Sequence, residues 1–383
     1  MRTLNSMYQI DQRFTVSYEF PVCFTRAAFA ADNTVLRNVV ARAGNTRHKV
    51  FPVIDEQVLA SQSDLIEQLQ EYAQHHSDII ELILPPLMVR SGEICKTDPI
   101  EVEQFYRITQ ERNIDRHSFV LVIGGGSVID AIGYAAATAH RGIRLIRMPT
   151  TVLGQNDAGV GVKNAVNFLG RKNYLGTFVP PYAVINDFNF LRTLPLRDQC
   201  AGMVEAVKVA LIKDQVFFDW LYQQRHQLAM FDDAAVEYMI RRCAELHLHH
   251  IATSGDPFEY GSSRPLDFGH WAAHRLEEIS HSDLRHGEAV AIGVTLDSLY
   301  SYELGLIDES LLQKIIVTLK DIGFSLYHPA LEQLDIRKAL EDFREHLGGE
   351  LCITLLTGEG VAAQFNQIDE NIMLACAKKL ISL

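Results

Sequence analysis

The 383-residue chain has no C-x-x-C pair, no low-complexity tract and no internal repeat. Its six cysteines (Cys23, Cys95, Cys200, Cys243, Cys352 and Cys376) are scattered, which argues against a disulfide frame and for free thiols in a reducing compartment. Positive charge is also short: 35 lysines and arginines face 48 acidic residues, a formal net charge of −13. That balance speaks against a nucleic-acid partner, and it requires any anionic ligand to be met by basic residues gathered locally. The opening MRTLNSMYQIDQRF lacks the apolar core of a signal peptide, so the expected location is the cytoplasm. No membrane span is expected either. The nearest candidate, FVLVIGGGSVIDAIGYAAATA at 119–139, is broken by three consecutive glycines and Asp130, and reads as a strand, a tight turn and a helix.

What remains is the composition of a soluble globular enzyme, 48% apolar and 22% charged. The length exceeds one small core and predicts two domains with a cleft between them. RFTVSYEFPVCFT reads as an early pair of strands, and HKVFPVID, DIIELIL, FVLVIGG, RLIRMPT and YAVIND as further short strands rich in β-branched residues. Between them SDLIEQLQEYAQHH and PIEVEQFYRITQERNI carry helical periodicity, so a mostly parallel sheet covered by helices is expected to about residue 190. Beyond LRTLPLRD the patterns are helical, apart from a small hairpin around TGEG. The expected division is an α/β domain at 1–192 and a mainly α-helical domain at 193–383.

GGGSVID follows the strand FVLVI and opens a helix, which sets backbone N–H groups where a pyrophosphate can bind. It does not fit G-x-G-x-x-G, because Ile129 stands at the sixth position, and a glycine turn that only packs strand on helix stays open. RPLDFGHWAAHRLEEISHSDLRHGEAVAIG holds His270, His274, His281 and His286. The first two share a helix face, but a hydrogen-bonded core pair has that spacing too. Arg141, Lys163, Lys172, Asn173 and Lys208 supply the basic cluster that the charge argument requires, although each lysine alone reads as a solvated surface charge.

GGGSVID, PTT, Asp157 and Lys163 at D-x5-K spacing, KN at 172–173, Glu205 and Lys208 in E-x-x-K, and HGEAVAIG occur in that order. From about residue 90 to 300 the chain thereby resembles 3-dehydroquinate synthase and the wider sugar phosphate cyclase family. The resemblance implies a Rossmann-like NAD-binding domain joined to a helical metal- and substrate-binding domain. It implies NAD contacts at Asp55, Glu93, Lys96, Gly125, Gly126, Asp130, Thr150 and Thr151. For Asp55 an ordinary surface charge is the open alternative. It implies a zinc ion, with cobalt as a substitute, on Glu205, His270 and His286. Asp157, Lys163, Lys208, Asp267 and His274 would be catalytic, and Arg141, Lys172, Asn173 and Arg264 would bind substrate. Within that set Lys163, Asn173 and His274 would meet the phosphate, with Arg141 reaching in from the partner subunit of a homodimer. His281 reads as a solvated loop residue. The reaction implied is closure of a seven-carbon sugar phosphate to a carbocycle, with transient oxidation by NAD, loss of phosphate and return of the hydride.

Some positions depart from 3-dehydroquinate synthase. Its R-x3-N-x-x-H becomes S-x3-D-x-x-H, with Ser263 and Asp267; His249 stands where the family has a lysine, and Val361 replaces the lysine of a GIGK element. Arg264, one residue along, is the candidate replacement grip for a substrate carboxylate. These changes suit a substrate without a carboxylate. RPLDFGH and EFPVCFTRAAF resemble the cyclases that act on sedoheptulose 7-phosphate and make valiolone-type cyclitols, as 2-epi-5-epi-valiolone synthases do, although His274 is kept as in the dehydroquinate enzyme. The expected function is therefore a NAD- and zinc-dependent cyclase of such a substrate. The alternatives are 3-dehydroquinate synthase, a metal-dependent polyol dehydrogenase, and a non-catalytic binding protein on the same scaffold.

Overall fold

The computed structural model describes residues 9–254, 258, 265–281, 283–346 and 349–382. Eleven strands occur among them: β1 (Val22–Thr25), β2 (His48–Asp55), β3 (Ile80–Leu82), β4 (Leu87–Val89), β5 (Phe119–Gly124), β6 (Arg144–Pro149), β7 (Lys163–Phe168), β8 (Arg171–Phe178), β9 (Ala183–Asp187), β10 (Ile353–Gly358) and β11 (Val361–Phe365). Seven form one parallel sheet in the order β1-β9-β6-β5-β2-β3, with β4 also paired to β2. Because strand side chains alternate between faces, the unbroken apolar run of β5 feeds two cores. Phe119, Leu121 and Ile123 pack on one side, and Val120 and Val122 on the other. Pro52 sits inside β2 without harm: the edge partner changes from β3 at residues 48–50 to β4 at 53–55, and the gap falls at the residue that has no N–H to donate.

The sheet ends with β9 at Asp187, and from Leu196 onward the described chain is helical except for the antiparallel hairpin β10–β11. The helix His286–Glu303 runs through the centre of this half, buried at every position from Ala289 to Ser301. Its threonine and serine hydroxyls donate within the helix, Thr295 to the Ala291 carbonyl at 2.7 Å and Ser298 to that of Val294 at 2.7 Å. Among the described residues no helix is long and apolar enough to cross a membrane, and the 119–139 stretch is β5 followed by the helix Gly126–Thr138.

Two expectations need correction. The early pair of strands is a single strand, β1; residues 9–20 lie outside the sheet, with Phe14, Val16 and Tyr18 exposed and, among the described residues, no neighbouring strand to bury them. The hairpin β7–β8 has no counterpart in the sequence reading, because most of β8 is exposed and carries no apolar run.

Candidate active site

The sheet brings its functional ends together by topology. From β2 the chain moves outward to β3 and β4, then returns to β5 on the opposite side of β2, so the crevice at the carboxyl ends of β2 and β5 is a switch point of the kind that binds nucleotides. Asp55 ends β2, Gly124 ends β5 and Pro149 ends β6. Gly125 caps the helix Gly126–Thr138 in an extended conformation, and no acidic residue occupies that helix's first turn. A β-carbon on Gly125 would come within 3.3 Å of Thr151 Cγ2, so glycine keeps this cradle open and lets a phosphate reach the backbone N–H groups. The residues present fit a dinucleotide.

Around the cradle Glu93 accepts from Ser127 Oγ at 3.1 Å and from Asn167 Nδ2 at 2.7 Å. Lys96 donates to Asp130 at 2.7 Å and to Asn173. Burial pushes the Asp130 carboxyl above its usual range against the pull of Lys96. Thr150 is buried behind the turn, and Thr151 Oγ1 accepts from the Gly154 N–H at 3.0 Å. Asp55 is no surface charge. It is buried and caps the helix Glu56–Ser61, accepting from the Gln57 N–H at 2.9 Å and from Ser91 Oγ.

A second cluster lies in the helical half. Glu205 is the third residue of the helix Met203–Lys213, and His270 and His286 each open a helix, His270–Ile279 and His286–Glu303. The ligand atoms of the three lie within 4.8 Å of one another. Glu205 Oε1 is 4.0 Å from His270 Nε2 and 3.9 Å from His286 Nε2. Zinc bonds of about 2.0–2.1 Å at a tetrahedral angle separate ligand atoms by roughly 3.4 Å, so each histidine nitrogen would draw in toward Glu205 by about half an ångström.

The rest of each ligand is already committed. His270 Nδ1 lies 3.1 Å from the Phe268 carbonyl and His286 Nδ1 2.6 Å from Glu277 Oε1, which turns both Nε2 lone pairs toward Glu205. Glu205 Oε1 is buried with no hydrogen-bond partner among the described residues. An orphaned buried carboxylate oxygen facing two imidazole lone pairs has the chemistry to hold a metal ion, and three protein ligands would leave one coordination position open. Burial, followed by the charge of Lys208, pushes His270 well below the ordinary histidine value, so it stands neutral as a ligand must.

Glycines set these helix starts. Gly269 takes φ 79, and its carbonyl oxygen would lie 2.0 Å from a β-carbon on Gly293, so the helices bearing His270 and His286 touch backbone to backbone. Asp297 secures the contact from below, accepting from the Gly269 N–H at 2.9 Å and from Trp271 Nε1 at 2.8 Å, one residue on either side of His270.

Of the other expected site residues, Lys208 is buried and pairs with Glu205 Oε2 at 2.5 Å. Asp157 lies on a π-turn, Gly154–Ala158, with its Oδ1 2.9 Å from His247 Nδ1. Burial disfavours both charges, yet His247 and then Lys208 hold Asp157 well below the usual carboxylate range, and Glu205 and Asp157 hold Lys208 above its ordinary value. His274 is exposed beside the cluster, its ring 5.6 Å from that of His270. Lys163 is exposed at the start of β7, and Lys172 donates to Glu277 at 2.6 Å. Asp267 is buried and accepts from Thr354 Oγ1 at 2.7 Å. His281 is exposed just past the helix His270–Ile279.

Some placements differ from expectation. Asn173, expected at the phosphate, binds Lys96 on the nucleotide side. His249 is exposed, and His247 is the histidine that faces the cleft. Arg141 is exposed at the far end of the 13-residue helix Gly126–Thr138, about 20 Å from the glycine turn at 1.5 Å per residue. Val361 opens β11, 55% exposed. Ser263 and Arg264 lie outside the described residues.

Sequence reasoning missed Glu277, His247 and Arg147. Glu277 follows His270 by two helical turns and could have been found as its i+7 neighbour. Arg147 is a charge inside an apolar strand, a signal in itself; it is wholly buried and donates to Gly159, Gly161 and Lys163 carbonyls, fixing the loop that carries Asp157.

Residues 86–201 match the family model described as 3-dehydroquinate synthase N-terminal, and residues 202–345 the one described as 3-dehydroquinate synthase C-terminal. A 3-dehydroquinate synthase of Shewanella sp. (strain MR-4) is 34% identical over 319 residues, 82% of this chain and 86% of that protein. The structure of a 2-epi-5-epi-valiolone synthase from Streptomyces hygroscopicus subsp. jinggangensis 5008, with NAD+ and Zn2+ bound, aligns with TM-score 0.86 at 28% identity, over 98% of this chain and 99% of that one. A 2-deoxy-scyllo-inosose synthase with carbaglucose-6-phosphate, NAD+ and Co2+ shares the fold with TM-score 0.74 at 22% identity, over 94% and 96% of the two chains. A nucleotide crevice and a Glu-His-His cluster thus occur in a chain whose two halves are matched in sequence and whose whole length is matched in structure: it belongs to the 3-dehydroquinate synthase family of sugar phosphate cyclases.

Proposed function

We propose that the chain closes sedoheptulose 7-phosphate, or a close ketose phosphate without a carboxylate, into a valiolone-type cyclitol, with NAD in the crevice and zinc on Glu205, His270 and His286. Zinc would supply Lewis acidity toward the alcohol and ketone oxygens of the substrate, and NAD a hydride acceptor that returns the hydride within the cycle. The chain's own part is placement and charge. Asp157 and Lys208 orient hydroxyls, and Lys163 and His274 meet the phosphate. Arg141 reaches the same pocket only from a second copy, which makes the working unit a homodimer. Six free thiols support a reducing compartment, the cytoplasm.

The observation that carries the substrate choice is Asp267. It is a buried carboxylate three residues before His270, with Asp297 close enough behind it to interact electrostatically. A carboxylated substrate would bring a further negative charge to this wall, whereas sugar hydroxyls can donate to it. The 34% identity to a 3-dehydroquinate synthase favours the second reading, with 3-deoxy-arabino-heptulosonate 7-phosphate as substrate. A competition assay with both heptulose phosphates decides between them. Sedoheptulose 7-phosphate is expected to be consumed with about tenfold or greater preference, the equivalent of one mispaired charge. Preference for the carboxylate substrate would contradict the proposal.

A further inference from the structure

His247 lies on the inner face of the helix Asp233–Thr253, with the buried Cys243 one turn before it and the buried His250 one turn after, while His249 faces solvent. Its Nδ1 stands 2.9 Å from Asp157 Oδ1, and its Nε2 faces the loop at Gly161, 3.6 Å from where a β-carbon on that glycine would lie. The loop is held in turn by Arg147, which donates to the Gly159 carbonyl at 3.1 Å and the Gly161 carbonyl at 2.7 Å. The imidazole is therefore wedged between a fixed loop and a carboxylate. A carboxylate can only accept, so Nδ1 carries the proton in this arrangement.

We propose that His247 is a positioning residue for Asp157. It holds the carboxylate with Oδ1 engaged and Oδ2 presented to a sugar hydroxyl, and so helps to set which hydroxyl pattern reacts. The inference rests on the cyclase reading of the site. Besides His247, the principal cation acting on Asp157 is Lys208, which already pairs with Glu205 at 2.5 Å. Without the imidazole donor, Asp157 turns toward Lys208 and competes with the metal-facing glutamate for it.

Three substitutions separate this role from simple packing. The side-chain nitrogen of asparagine can stand where Nδ1 does, that of glutamine falls nearer Nε2, and phenylalanine fills the space without a donor. A hydrogen bond to a charged group corresponds to about a 10- to 100-fold effect. His247→Asn is expected to keep kcat within about 5-fold, while His247→Gln and His247→Phe lose about 10- to 100-fold in kcat with KM little changed. Zinc content and NAD affinity should be those of the unaltered chain. The comparison uses whichever heptulose phosphate the unaltered chain consumes, so a wrong substrate assignment leaves the test intact. Equal losses for asparagine and glutamine, or an undiminished phenylalanine variant, would overturn the proposal. A nitrogen NMR spectrum of the unaltered protein tests it without any substitution: His247 should be protonated at Nδ1, and a neutral Nε2–H tautomer would overturn it.

Discussion

Asp297 shows how much of this site is decided away from the chemistry. It is wholly buried, and burial pushes its carboxyl up to about 7 despite donors from Trp271 and Gly269. Asp297→Ala leaves two buried N–H groups without an acceptor, each costing about 1–3 kcal/mol, whereas Trp271→Phe removes one donor and leaves the other bond intact. Denaturant unfolding should therefore show a loss of about 2–5 kcal/mol for the first and roughly half that for the second, and a loss below about 0.5 kcal/mol for Asp297→Ala would contradict the account. The sign with pH follows from the raised value. The folded carboxyl titrates near 7 and the unfolded one near 3.8, so its contribution is greatest below about pH 4 and declines as pH rises through that window. The cost of Asp297→Ala should accordingly shrink between pH 5 and pH 8. At this scale the grouping of Glu205, His270 and His286 was legible because they stand in recurring short patterns. Asp297, Glu277 and His247 were not, because each acts through a partner brought to it by folding.

Among the elements, the hairpin β7–β8 links the two halves of the site. Lys172 reaches Glu277, which holds the metal-facing His286, and the next residue, Asn173, reaches Lys96 in the nucleotide cradle. Burial would raise the Glu277 carboxyl, but His286 and then Lys172 bring it down to about 2, so it stays an acceptor at neutral pH. Asn173 adopts a positive φ of 53, which lets consecutive side chains serve different sites. Lys172→Met should weaken zinc retention against a chelator by up to about 10-fold, the low end of effects for groups behind a ligand, with NAD affinity unchanged. Asn173→Ala should do the reverse. If both variants shifted both affinities equally, the hairpin would be one structural unit and not two separate contacts. The hairpin escaped sequence reasoning because β8 lies largely on the surface, and an exposed strand of mixed residues carries no strong period.

The whole molecule divides its burial between the two faces of the parallel sheet and a larger helical core around His286–Glu303. That division was legible from the change of period near residue 190. The extent of β1 was not, since strand propensity in residues 13–20 had no partner to act on. Cys95, Cys243, Cys352 and Cys376 are buried, and burial pushes the Cys95 and Cys376 thiols up to about 12. These four should resist alkylation at pH 8 in the native protein and react fully in denaturant; rapid native labelling of any of them would place it at the surface.

The proposed cycle releases phosphate without consuming NAD. The direct measurement follows inorganic phosphate and the absorbance of NADH together, with zinc, NAD and sedoheptulose 7-phosphate present. Phosphate is expected to rise over many turnovers, with a seven-carbon cyclic product without phosphate and a flat NADH signal. NADH accumulating in proportion to product, with phosphate retained on the sugar, would contradict that cycle and assign the chain to dehydrogenase chemistry.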